Sequence, residues 1–172
     1  MSDPNTQVRA VAELDLDRYL GTWFEICRLP LKYEPAKAND ITATYSLNED
    51  GTVRVENRLR DEDGKPDRAI GQAQAADASN AKLKVSFLPE YLRWIPFTKG
   101  DYWVLAITPD YETALVGTPD RHHLWVLART PNPHPETVEG MLGTARAMGF
   151  DLSKLIWTKQ SGEAVPASAF ID

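Results

Sequence analysis

Few residues in this chain could do covalent or metal chemistry. Glu25 and Cys27 fall at alternate positions of one strand-like segment, and His122 and His123 are adjacent. A thiol is a nucleophile only when a nearby base or cation lowers its pKa. No such partner stands out beside Cys27, so a buried, inert cysteine is expected. An inward Glu25 must be paired, hydrated or neutral. A structural hydrogen bond is the preferred reading, and contact with a ligand's head group is the alternative. The histidine pair reads as solvated. With one cysteine and three histidines in the whole chain, a thiolate zinc cluster is excluded and a His-rich metal site has few donors. Segments 48–51 and 61–64 lack the ligand spacing of a calcium loop and read as hairpin turns. No nucleophile–base–acid set or phosphate loop stands out. These readings lead to no metal, no cofactor and no enzymatic activity.

The elements that would position these residues come from patterning. The chain has 172 residues, which suits one domain. Hydrophobic residues make up 42%, enough for a packed core. A net charge of −6 without a basic block argues against nucleic acid as a partner. Turn signals punctuate eight strand-like segments at 21–29, 40–47, 52–60, 67–76, 81–88, 101–108, 112–117 and 123–130. Several alternate with period two, as in Thr52-Val53-Arg54-Val55 and Lys82-Leu83-Lys84-Val85-Ser86-Phe87. Eight short strands joined by tight turns imply an all-β barrel or sandwich. One helix follows. Pro135 suits its first position, Gly149 suits its end, and Val138, Met141, Leu142, Ala145 and Met148 form one apolar stripe. Segment 155–158 reads as a further short strand. The expected organisation is a loose N-terminus over 1–13, one domain over 14–160 and a loose tail over 161–172.

Two motifs then carry a resemblance. Leu14-Asp15-Leu16-Asp17-Arg18-Tyr19-Leu20-Gly21-Thr22-Trp23-Phe24-Glu25-Ile26 resembles the lipocalin signature, a short helix followed by Gly-x-Trp on the first strand. Leu124-Trp125-Val126-Leu127-Ala128-Arg129-Thr130 resembles the family's last-strand motif, whose arginine covers that tryptophan. The chain is most similar to bacterial outer-membrane and apolipoprotein D-like lipocalins. The family's second motif reads Thr-Asp-Tyr, whereas this chain has Thr108-Pro109-Asp110-Tyr111. The resemblance implies an eight-stranded up-and-down antiparallel barrel with a short N-terminal helix and a C-terminal helix packed outside. Gly21, Trp23 and Arg129 would then be structural, with Arg129 over the Trp23 ring.

Such a barrel can hold one small ligand. The resemblance places Tyr45, Asn57 and Trp125 in the cavity. Period two adds Ala43 beside Tyr45, Val55 and Val53 beside Asn57, and Leu127 beside Trp125. Phe87, Val85 and Leu83 form one apolar face and join the lining. Parity with Trp23 turns Glu25 and Cys27 inward as polar candidates and turns Phe24 and Ile26 outward under the helix. Along 101–108 the inward set is either Tyr102 and Val104 or Trp103 and Leu105. Ala69, Gly71, Ala73 and Ala75 share a face that either leaves room for ligand or eases curvature.

The loop 88–97 is unusually apolar, with Tyr91, Leu92, Trp94, Ile95 and Phe97. By topology it lies at the open end of the barrel, where it would form a lid, a membrane contact or a self-association surface. The expected function is binding, sequestration or transport of a fatty acid, lysophospholipid or similar amphiphile, in membrane lipid maintenance or stress. A lipocalin-fold enzyme and a haem or pigment carrier are the alternatives. The expected partners are that ligand, with a membrane surface or a second copy as further options. The polar start of this chain lacks the apolar run of a signal peptide. Resemblance implies a periplasmic, outer-membrane-associated protein, and a cytoplasmic one if Met1 is the native start.

Overall fold

A computed structural model describes residues 7–30, 37–87 and 99–170. A one-turn helix, α1 (Leu16–Tyr19), is capped by the Asp15 side chain, which accepts from the Arg18 N–H. Eight strands follow: β1 (Gly21–Arg28), β2 (Asn39–Leu47), β3 (Val53–Arg60), β4 (Pro66–Ala75), β5 (Lys82–Phe87), β6 (Lys99–Ile107), β7 (Thr113–Gly117) and β8 (Leu124–Ala128). They lie close to the segments that alternation marks. After them come α2 (Pro135–Ala147), a short β9 (Ile156–Trp157) and a 3-10 turn, Ala167–Phe170.

From β2 to β8 each strand pairs antiparallel with the next, β8 pairs with β1, and β1 pairs with β2. The sheet therefore closes into the expected barrel, and closure removes the edges an open sheet would expose. Alternation decides the two faces. On β5, Leu83, Val85 and Phe87 are buried, while Lys84 and Ser86 are exposed. The interior cluster gathers Trp23, Ile41, Ala43, Tyr45, Val53, Val55, Leu59, Ala69, Ala73, Val104, Val116 and Leu127. A second cluster lies outside, between β1, β6, β7, β8 and α2. There Ile26, Leu105, Leu115, Leu124 and Val126 meet Val138, Met141, Leu142, Ala145 and Phe150, with Phe24 packed against them. The helix stripe thus covers the sheet face that strand parity assigns to it. Gly149 ends α2 with φ +88°, and the Arg121 Nε–H donates to the Met148 carbonyl at 2.7 Å.

Two bulges change the inward set. The β1–β8 register shifts between Glu25 and Cys27. Glu25 stands opposite Leu127 on the inside, but Cys27 stands opposite Val126 and joins the cluster under α2. The expectation of an inward Cys27 is corrected: the extra residue of the bulge flips the alternation. It also turns Arg28 inward, opposite Trp125. On β6, Tyr102 and Val104 face in. A shift between Val104 and Ala106 puts Leu105 and Ala106 outside and returns Ile107 to the interior.

The ends of the barrel wall are held by later chain. β1 and β2 pair only over Gly21–Phe24 and Thr42–Tyr45, and above that they part. Residues 156–161 enter between them. The Thr158 N–H donates to the Ile26 carbonyl at 3.0 Å, and the Asp40 N–H donates to the Lys159 carbonyl at 2.9 Å. The Gln160 side-chain amide donates to both the Glu25 carbonyl at 2.8 Å and the Ile41 carbonyl at 2.9 Å. Asp40 accepts from the Ser161 N–H at 2.7 Å. The segment expected to be a loose tail is seated on the outer face. Val165 is buried, its carbonyl accepts from Arg58 at 3.0 Å, and the Phe170 ring lies 4.9 Å from the Arg68 guanidinium. Tyr91, Leu92, Trp94, Ile95 and Phe97 lie outside the described residues.

Candidate functional site

The barrel floor is built from α1 and the first turn of the wall. Trp23 is fully buried, and its Nε1–H donates to the Tyr19 carbonyl at 2.8 Å. The Arg129 guanidinium carbon lies 3.8 Å from the centre of the Trp23 ring. Arg129 also donates to the carbonyls of Arg18 at 2.7 Å, Thr22 at 3.2 Å and Tyr111 at 3.2 Å. One side chain thus ties together α1, β1 and the β6–β7 turn. Gly21 permits this approach, with φ +103° and its Cβ position 3.2 Å from Arg129 Nη1. In the β6–β7 turn, Thr108 donates to Asp110 at 2.6 Å, and the Tyr111 hydroxyl accepts from the Asp15 N–H at 2.9 Å. The inserted proline leaves the turn and its contacts in place.

Above Trp23 sits an aromatic layer. The Tyr19 ring is 5.0 Å from Trp23 and 5.5 Å from Tyr45, and Tyr45 meets Tyr102 edge-on at 5.9 Å. The Tyr102 hydroxyl lies 2.5 Å from that of Tyr19 and 2.7 Å from that of Tyr45. Burial pushes all three phenol pKa values up, so the hydroxyls stay protonated.

Higher up, small side chains face the axis. Ala43, Asn57 and Ala69 are cross-strand neighbours on β2, β3 and β4, and Val55 is flanked by Tyr45 and Gly71. Gly71 makes room for an aromatic ring: a Cβ there would lie 2.9 Å from Phe87 Cδ1. Asn57 is half-buried, and its amide makes no hydrogen bond within the protein. Trp125 is half-buried, and the His123 ring stacks on it at 5.9 Å with 17° between planes. His123 is therefore not the solvated residue expected; burial lowers its pKa. His122 is exposed, 3.4 Å from Asp120.

The only ion pair buried on both sides, among the described residues, is Arg28–Glu25 at 3.0 Å. The Glu25 carboxylate also accepts from the Thr158 hydroxyl at 2.5 Å. Burial raises the Glu25 pKa, and Arg28 and Thr158 partly offset that rise. These contacts join β1 to Thr158 across the β1–β9 seam. No cluster of three His, Cys, Asp or Glu poised for a metal occurs among the described residues.

The Lipocalin-like domain model matches residues 14–160. The chain belongs to the lipocalin family. This lipocalin is 44% identical to temperature-induced lipocalin-1 of Arabidopsis thaliana over 90% of its own length and 84% of the relative's. It is 40% identical to the outer membrane lipoprotein Blc of Escherichia coli K12, over 92% and 86% of the two chains. Mouse apolipoprotein D is 34% identical over 86% and 77%. Among solved structures, insecticyanin of the tobacco hornworm superposes with a TM-score of 0.67 at 22% identity, covering 98% and 90%. Lobster apocrustacyanin A1 gives 0.67 at 13% identity, covering 92% and 93%. Both likenesses concern the fold.

Reading this lipocalin from sequence missed Tyr19, Arg28, Thr158 and Gln160 as wall and floor residues. Tyr19 had a usable signal, since it lies four residues before Trp23. Arg28 had none, because a bulge leaves no mark in the alternation. Cys27 is fully buried, and its thiol pKa is pushed up to about 12 by burial first, then by the charges of Glu25 and Glu139. At pH 8 the thiolate fraction alone should slow its reaction with a thiol reagent about a thousandfold against an ordinary cysteine. A thiol titration of the native and urea-unfolded protein checks this; fast native labelling would put Cys27 on an accessible face.

Proposed function

We propose that the barrel sequesters or transports one fatty acid, lysophospholipid or similar amphiphile, in membrane lipid maintenance or stress. The observation that carries this reading is the interior wall. Small apolar residues surround one unspent amide, Asn57, and one half-buried indole, Trp125. An apolar cavity with few polar groups suits a hydrocarbon chain with a polar head. Transferring ten methylenes from water is worth about 8 kcal/mol before ordering costs. The relatives are lipocalins, which are generally binding proteins, and Cys27 under α2 does not supply a nucleophile to the cavity. Similarity to Blc lipoproteins supports a place at the outer membrane. No described helix is long and apolar enough to cross a membrane.

The test is intrinsic fluorescence of delipidated protein titrated with oleate, lysophosphatidylcholine and haem. Saturable change with the lipids is expected, with most of the signal lost in Trp125→Phe. Ala43→Phe should weaken lipid binding about tenfold or more, since it places a large ring on the inner face between Trp23 and Asn57. Haem binding without lipid binding would favour the pigment-carrier alternative. Affinity unchanged by Ala43→Phe would remove the ligand from this wall.

A further inference from the structure

The hydroxyls of Tyr19, Tyr102 and Tyr45 carry three protons and make two hydrogen bonds, both through Tyr102. None of the three hydroxyls has another hydrogen-bond partner in the protein. Whichever way the two bonds run, one O–H remains without an acceptor. Tyr19 and Tyr45 are buried in the interior cluster, and Tyr102 packs against it opposite Leu83. Tyr102 is half-buried on the inner face, so its surface meets the barrel interior. A buried donor without an acceptor is costly, and the neutral phenols cannot relieve the cost by losing the proton.

We propose that the floor of the barrel is a second polar subsite, which takes a hydrogen-bond acceptor oxygen at the deep end of the ligand. This rests on the barrel being an amphiphile site, and it adds what the buried end must carry. A bare methyl terminus leaves the donor unsatisfied, whereas a carbonyl oxygen accepts its proton and offers no competing donor. The acceptor is either an oxidised position near the end of an acyl chain or the ligand's own carboxyl entering first. In both cases the floor selects oxygen over hydrocarbon. The Arg129 guanidinium, 3.8 Å from the centre of the Trp23 ring, adds a positive charge close to the floor, which favours an acceptor.

The experiment compares stearate with 17-oxostearate on delipidated wild type and on the triple variant Tyr19→Phe/Tyr45→Phe/Tyr102→Phe. The variant removes all three hydroxyls together, which leaves no new orphan and preserves ring packing. In the wild type the keto acid should bind about tenfold tighter than it does in the variant. Unchanged stearate affinity in the variant then identifies the chain-end oxygen as the acceptor. A parallel loss for stearate identifies the carboxyl entering first. Equal affinities of both probes for both proteins would overturn the floor subsite while leaving the carrier reading intact. No saturable binding of either probe to wild type would overturn the carrier reading itself. As a spectroscopic check, the ketone stretch of carbon-13-labelled 17-oxostearate in the wild type should lie below its position in hexane when the chain-end oxygen is the acceptor; a hexane-like position together with unchanged stearate affinity in the variant overturns the subsite.

Discussion

Replacing Trp23 with alanine is expected to cost about 3–5 kcal/mol, the range for large aromatic truncations in cores. The side chain is fully buried, donates to the Tyr19 carbonyl and forms the surface on which Arg129 and Tyr19 both rest. Its loss removes an indole's worth of packing and leaves the Tyr19 carbonyl without its donor. It also leaves the Arg129 guanidinium over a cavity instead of a ring. For a chain of this size the midpoint of thermal unfolding should fall by roughly 10 °C. Denaturant titration with circular dichroism reads the loss. Trp23→Phe keeps a ring beneath Arg129 and should lose clearly less. A loss below about 1 kcal/mol for the alanine variant would mean that the floor is not part of the cooperative core.

The second large effect concerns Arg28 and Glu25. Glu25→Gln takes the carboxylate from a guanidinium with no solvent exposure, and removing one member of a buried pair costs about 3–5 kcal/mol. Arg28→Met differs because glutamate can take up a proton. Burial already raises the Glu25 pKa, and losing Arg28 removes the largest opposing influence. A carboxyl whose folded pKa lies above its unfolded value contributes stability below the unfolded pKa and loses it as pH rises through the folded one. Arg28→Met should therefore be nearest to wild type in mild acid and fall progressively behind toward pH 8. The double variant Glu25→Gln/Arg28→Met should be more stable than Glu25→Gln alone, because it removes both members of the pair together. Parallel losses for both single variants at every pH would show that Glu25 does not take up the proton.

Both predictions concern residues that the sequence shows to very different degrees. Trp23 and Arg129 are legible because their motifs bracket a run of alternating strands, and the structure joins them ring to guanidinium. The helix stripe and the outward Phe24 and Ile26 are legible for a related reason: periods of 3.6 and 2 must agree where two elements meet. Arg28 is illegible because a bulge is an extra residue within an otherwise regular ladder, and alternation read through it assigns every later side chain to the wrong face. Cys27 is misplaced by the same single step. On β6 both parities had apolar members, so hydrophobicity could not choose, and only pairing with Leu83 and Val116 separates Tyr102 from Trp103. The tail was misread for another reason. Its small and polar residues look unanchored, yet Arg58 on the outside of β3 donates to its Val165 carbonyl and Arg68 on β4 lies over its Phe170 ring.

The Gln160 amide that spans the carbonyls of Glu25 and Ile41 also bears on how the molecule is made. The upper halves of β1 and β2 are never each other's partners; a segment that emerges after all eight strands and α2 stands between them. On a nascent chain the wall therefore has an open seam until residues 156–161 have been added. Until then both borders carry free backbone donors and acceptors, which can recruit any passing strand. Sealing the vessel waits for residues 156–161, so a copy that stops short of them is a sticky one.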